Sequence, residues 1–295
     1  RKQSQKEVNY LVKEFECRKS ADAYARAGQS KTGVLDTAKL HTYKYSDDIF
    51  KKVTVLPDGK NHGLLFLLDW SGSMQREILA TVKQLLNLTA FCKKVQIPFE
   101  VYAFTNEWYA VRRAKEGKDD YISNDEYFAQ NGCEEGKIFL HKDMFHLMNF
   151  VSSRSNSKDY ERMCLNLYRE AYAYVYHATY HTTLGVGLSG TPLNEGIVMM
   201  NYIIPQFKKQ NDLQKVNVCI LTDGEACQSA YGRKYYNDHT DENYVRPRRL
   251  DYTTILRDRS TGRVYSMNNG WGEMTNTFIQ QLRDRNSGVN VLGFR

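Results

Sequence analysis

Several common signatures are missing from this 295-residue chain. Apolar runs such as Gly63–Leu68 are far shorter than the ~20 residues needed to span a bilayer, so no membrane partner is expected. The start is basic and polar, with no secretory signal. No CxxC pair occurs, which argues against a zinc site. There is no GxxxxGK[ST] segment, so the chain does not carry its own nucleotide loop, and no GxSxG or HExxH pattern either. His177 and His181 stand four apart, a spacing that could seat two imidazoles on one metal, but no third ligand accompanies them. Ordinary surface or core histidines are the better reading. Internal repeats and low-complexity linkers are also lacking.

What is present suits a globular chain able to bury a sizeable core: 41% hydrophobic and 25% charged residues. The net charge of +7 is spread out, apart from Arg246-Pro247-Arg248-Arg249. A solvated surface is preferred to nucleic-acid binding, although long-range attraction to an acidic partner or nucleic acid stays open. Six cysteines (Cys17, Cys92, Cys133, Cys164, Cys219 and Cys227) are scattered through a chain too large to need stapling. A reducing cytoplasm is the expected location, with Cys92 and Cys219 as inert core thiols. The chain begins with Arg1 and stops just after a strand-like run, so both ends are expected to be fragment boundaries.

Hydrophobic periodicity predicts helix through residues 1–30, a turn or short helix at Val34–Leu40, and extended segments at His41–Tyr45 and Ile49–Val55. Pro57-Asp58-Gly59-Lys60 is a turn signal, and a hairpin leading into the main sheet is expected. Residues 1–62 are thus read as a helical and extended segment packing on a core formed by 63–295. Within that core, Gly63–Leu68, Phe99–Phe104, Val216–Leu221 and Val289–Phe294 read as buried strands. Helices are predicted at Ser73–Val95 and around Glu273–Arg285. Strands alternating with helices argue a doubly wound, mostly parallel α/β sheet. Two stretches read as insertions. One, about 106–188, is helical, with helices around His141–Val151 and Tyr160–Tyr176. Its tyrosines at 168–180 are read as packing in preference to base stacking. The other, about 226–270, contains a hairpin over Thr253–Tyr265 with its turn near Gly262.

Three short segments carry the chemistry: Asp69-Trp70-Ser71-Gly72-Ser73, Gly190-Thr191-Pro192-Leu193 and Leu221-Thr222-Asp223-Gly224-Glu225. Within them Asp69, Asp223, Ser71, Ser73 and Thr191 offer two carboxylates and three hydroxyls, hard oxygen donors that suit Mg²⁺ or Mn²⁺. Asp69 and Asp223 each close an apolar strand, where open α/β sheets bind ligands. Each segment alone has a plain alternative: Ser73 or Thr191 capping a helix, Asp223-Gly224 making a turn. All three in order make those alternatives poor.

The set resembles the metal-ion-dependent adhesion site of von Willebrand factor A domains. The resemblance implies Ser71 and Ser73 as direct ligands of the ion and Thr191 as a direct or water-mediated one. It implies Asp69 and Asp223 acting through water or the serine hydroxyls. One position would be left for water or for an Asp or Glu of a partner protein. More narrowly, Thr32–Leu40, Leu68–Met74, Val101–Thr105, Gly190–Glu195 and Thr222–Gly224 are similar to the CobT-type subunit of aerobic cobaltochelatase and its phage relatives, which work beside a MoxR-type AAA+ ATPase. The function implied is a metal-dependent, non-catalytic adaptor for such an ATPase, in the host cytoplasm if phage-encoded. Alternatives are a subunit assisting cobalt insertion into a corrin ring, or a nucleic-acid-associated factor. Trp70 departs from the smaller residue common in relatives.

Overall fold

The computed structural model describes residues 2–25, 28–35, 50–55, 61–106, 128–142, 144–177, 182–183, 185–224, 226–267 and 271–294. The chain divides into two compact units, Arg1–Lys60 and Asn61–Arg295. In the first, helix α1 (Lys2–Ala25) precedes strands β1 (Gly28–Leu35) and β2 (Phe50–Val55), which pair antiparallel. Gly28–Leu35 is therefore extended, where its first residues were read as the end of the helix and its last as the beginning of a turn or helix. Pairing with β2 outweighs a weak local preference. The predicted segment His41–Tyr45 and the Pro57–Lys60 turn lie outside the described residues.

The second unit runs β3 (His62–Asp69), α2 (Ile78–Lys94), β4 (Phe99–Asn106), β5 (Phe145–Ser152), α3 (Ser157–Val175), α4 (Leu193–Asn211) and β6 (Lys215–Leu221). It continues through β7 (Ala230–Asn237), β8 (Glu242–Arg249), β9 (Ile255–Arg257), β10 (Val264–Ser266), α5 (Trp271–Arg285) and β11 (Val289–Phe294). The central sheet has the order β11-β6-β3-β4-β5. Its first four strands are parallel and β5 is antiparallel to β4. Both faces are covered, which is why the central strands read as continuous apolar runs. On one face Phe66, Leu68, Val101 and Ala103 pack against Ile78, Val82 and Leu85 of α2 and Leu167 and Ala171 of α3. On the other, Leu65, Leu67, Val216 and Val218 pack against Ile197, Met200 and Ile204 of α4 and Phe278 and Leu282 of α5. Cys92 and Cys219 are buried on the first face, and burial pushes their thiols up to about 12 and about 11.

Two expectations need correction. The helix predicted around His141–Val151 is strand β5 over most of its length. Its side chains alternate: Phe145 and Leu147 join one core, Met148 and Phe150 the other. Helices on both sides make both sets apolar and hide the period of two. A buried acid also secures the strand. Glu100 on β4 accepts hydrogen bonds from Asn149 (2.8 Å), Ser152 (2.8 Å) and the Arg154 guanidinium (3.0 Å). The stretch 106–188 is consequently not just a helical insertion, since it supplies the sheet's edge strand and one covering helix. That helix, α3, matches the prediction for Tyr160–Tyr176 and is capped by the Asn156 side chain, which accepts from the Asp159 amide. Its tyrosines divide. Tyr174 is buried, while Tyr172 and Tyr176 are exposed and lie 4.3 Å apart, centroid to centroid.

In 226–270 the predicted hairpin is β9–β10, with Gly262 at φ +72° in its turn. The longer hairpin β7–β8 was not anticipated. A buried polar relay ties β9–β10 to the helices. Asn286 donates to Asn201 (3.1 Å), Asn201 to Gln281 (2.9 Å), and Gln281 to Asp258 (2.6 Å). Burial pushes the Asp258 carboxyl up, but hydrogen bonds from Ser260, Gln281 and the Ser260 and Thr261 amides outweigh it and bring the group to about 2. That value lies below the unfolded ~3.9. The stabilisation is therefore present above the unfolded value and lost as pH falls towards 2. Asp258→Ala is expected to lower unfolding free energy by about 2–4 kcal/mol in urea titrations at neutral pH. The gap to wild type should narrow below about pH 4. A gap that stays constant down to pH 2 would assign the loss to packing instead.

Candidate metal centre

Asp69 ends β3 and Leu221 ends the neighbouring β6, with Leu68 opposite Leu221. From β3 the chain passes through α2 to β4 on one side. From β6 it passes through α5 to β11 on the other. The carboxyl ends of these two strands thus flank the switch point of the sheet, where a crevice opens.

Asp69 is fully buried there. Its Oδ2 accepts a hydrogen bond from Thr222 Oγ1 at 2.6 Å, while Oδ1 is buried without a hydrogen-bond partner. Burial pushes this carboxyl up, Thr222 and the nearby Ser71 pull it back, and the charge of Asp223 adds to the rise. Ser71, also buried, has its Oγ 3.0 Å from Ser73 Oγ. Ser73 Oγ in turn donates to Asp223 Oδ1 at 3.0 Å. One polar chain therefore links Ser71, Ser73 and Asp223 at the mouth, with Asp69 beneath beside Ser71. Ser73 does not spend its hydroxyl capping a helix. The 3₁₀ turn Ser73–Arg76 is preceded by Gly72, and α2 by Glu77, neither with a capping side chain.

The segment before Thr191 is held against this loop. The Gly72 amide donates to the Ser189 carbonyl at 2.7 Å, and Ser71 and Ser189 form a parallel bridge. Beyond it, the Cys227 amide donates to the Thr191 carbonyl (2.8 Å) and the Thr191 amide to Cys227 Sγ (3.2 Å). Thr191 thus stands between the first and third loops. The cap of α4 falls to Pro192, which has no side-chain hydrogen bond to give.

Two contributors, Thr222 and Cys227, were not singled out by sequence reasoning, and a third, Trp70, was noted only as a departure from the resemblance. Thr222 holds Asp69, and a hydroxyl beside a strand-ending Asp was its only signal. Cys227 brackets Thr191 through backbone geometry that no motif encodes. Trp70 points away from the crevice. It is fully buried, packs edge-on to Phe150 and Tyr174, and donates its indole N–H to the Val186 carbonyl at 2.8 Å. A smaller residue would leave the 186–190 segment without that tether.

Among the described residues, no three His, Cys, Asp or Glu side chains gather to hold a metal. A cation here would rely on hydroxyl oxygens beside the two aspartates. Glu195 is not a third carboxylate of the cluster; it contacts Ser229, and its Oε2 is buried without a hydrogen-bond partner. His177 lies 3.4 Å from Gln75, and His181 is outside the described residues. All six cysteines are free of disulfides. No helix among the described residues is long and apolar enough to cross a membrane.

No protein-family model matches the chain. No curated protein matches it either. Among solved structures it is similar to the pilus adhesin SpaC from Lactobacillus rhamnosus GG in its open conformation, at a TM-score of 0.42 and 12% identity. That match covers 80% of this chain and 24% of the adhesin, so the chain spans about a quarter of that protein's length.

Proposed function

We propose that the chain is a divalent-cation-dependent protein-binding module of the von Willebrand A type, with Mg²⁺ or Mn²⁺ held by Ser71, Ser73, Thr191, Asp69 and Asp223. The reading is carried by the buried Asp69 Oδ1, a strong acceptor without a donor beneath a hydroxyl and carboxylate chain at the sheet's switch point. A buried polar atom of this kind calls for a compensating group, and a cation is one that suits a carboxylate. The bound ion would supply a Lewis-acidic position for an outside carboxylate. The residues of this chain orient it, with Thr222 fixing Asp69 and the Trp70 tether fixing the second loop.

The partner is then a protein offering an Asp or Glu, and the working context is an adaptor docking on a MoxR-type AAA+ ATPase in a reducing cytoplasm. Pull-down with a MoxR-type AAA+ ATPase from the same genome tests that context. Capture should be lost in EDTA, restored by magnesium, and lost with Ser73→Ala. Capture indifferent to both EDTA and the variant would sink the metal-dependent docking.

A further inference from the structure

The basic run Arg246–Arg249 is not loop but the second half of β8, paired with β7 in a two-stranded ribbon. The ribbon springs from Ser229 and is pinned near its root. The Gly136 amide donates to the Gly232 carbonyl (2.8 Å), the Gly232 amide to the Lys137 carbonyl (3.0 Å), and the Phe139 amide to the Ala230 carbonyl (2.8 Å). Gly232 has to be glycine at this crossing, because a Cβ would run into the Glu134 carbonyl.

The register sets one face of the ribbon. Reading outward, Tyr231 lies opposite Arg248, Arg233 opposite Arg246, and Tyr235 opposite Tyr244. The last pair is stacked, with centroids 5.6 Å apart and planes 16° off parallel. Arg233 lies over the Tyr235 ring at 5.7 Å and Arg246 over the Tyr244 ring at 4.7 Å. Placing like charges directly opposite normally costs stability. Here the rings hold the two guanidinium planes in place. Lys234 and Arg249 add charge on the reverse face, and the one acid within the two strands, Glu242, lies opposite Asn237 at the tip of the tyrosine and arginine face.

We propose that this face binds single-stranded nucleic acid, independently of the cation site. Cations alone would serve any polyanion. At the root Tyr231 packs on the core and Arg248 pairs with Asp251, but further out the Tyr235–Tyr244 ring pair lies one rung, about 6.8 Å, from the Arg233–Arg246 pair and adds stacking surface that a base can use and an acidic peptide does not need. The charge complements phosphates and the rings complement bases.

The test is fluorescence anisotropy with a labelled mixed-sequence 20-mer of single-stranded DNA, in EDTA, titrated upward from about 50 mM salt. The wild-type chain should bind. Arg233→Ala with Arg246→Ala should weaken binding at least about tenfold and flatten the salt slope by about 1.4, for two lost phosphate contacts. Tyr235→Ala with Tyr244→Ala should weaken it about 5- to 100-fold, and the paired Tyr→Phe variant should retain it. Lys83→Ala with Lys158→Ala, on α2 and α3, serves as the charge-matched control and should change little. Should the wild type fail to bind at low salt, or the arginine pair behave like the lysine control, the proposal is overturned. Equal displacement by poly-glutamate would hand the face to an acidic polypeptide, and equal affinity for duplex would remove the single-strand assignment.

Discussion

Magnesium or manganese is expected to raise the unfolding temperature of the wild-type chain, and Asp69→Asn to abolish that response without making the metal-free protein less stable. The two halves of this result have one cause. Asp69 is fully buried and burial pushes its carboxyl up, so the charged form is held at a cost. A group raised in the folded state contributes stability below its unfolded value and loses it as pH rises through the folded one. Metal-free wild type therefore carries a penalty at neutral pH that Asn, uncharged and still able to accept from Thr222, does not. A bound cation would reverse the balance, giving about 2.7 kcal/mol at a hundredfold excess over its dissociation constant. Differential scanning fluorimetry with and without the ion reads both halves. Asp223→Ala should also lose the metal response, since it removes the acceptor of Ser73 Oγ. An undiminished magnesium shift in Asp69→Asn would end the metal reading. A metal-free Asp69→Asn chain well below wild type would show that the carboxylate is structural.

The second large effect is at Trp70. Trp70→Ala should cost about 3–5 kcal/mol, the usual toll for emptying a buried aromatic site. It should also weaken cation binding, although the indole N–H hydrogen-bonds Val186 and none of the five candidate ligands. The reason is its position. The residue sits between Asp69 and Ser71, faces Phe150 and Tyr174, and ties down Val186 a few residues before Thr191. Trp70→Phe separates the roles. It keeps most of the packing and loses the indole donor, for about 1–2 kcal/mol, while Tyr174 Oη still donates to the same carbonyl at 2.6 Å. Isothermal titration with Mn²⁺ alongside urea unfolding distinguishes them. If Trp70→Phe binds the ion as wild type does, the tether is redundant for the site and Trp70 is purely a core residue.

Much of the candidate site was legible because it is made of strand ends. Asp69 and Asp223 follow apolar runs whose burial on two faces leaves little choice of structure, and short polar segments after such runs can only be loops at the sheet's edge. The central parallel strands were readable for the same reason. What failed was whatever depended on partners distant in sequence. Phe145–Ser152 carries apolar residues on both of its faces, and only the β4 edge and Glu100 make it a strand. Arg246–Arg249 reads as a charge cluster until pairing with β7 sorts its side chains onto two faces.

Local composition by itself determined the central parallel strands with their neighbouring helices, the three polar loops and the oxygen character of their side chains, because each follows from which neighbouring residues must be buried or solvated. Only the tertiary structure decided that β3 and β6 lie side by side, that Asp69 retains an acceptor without a donor, and that Trp70 and Cys227 hold the second loop. Those features come from contacts across some forty to a hundred and fifty residues. At that range no periodicity in the chain records which side chains meet.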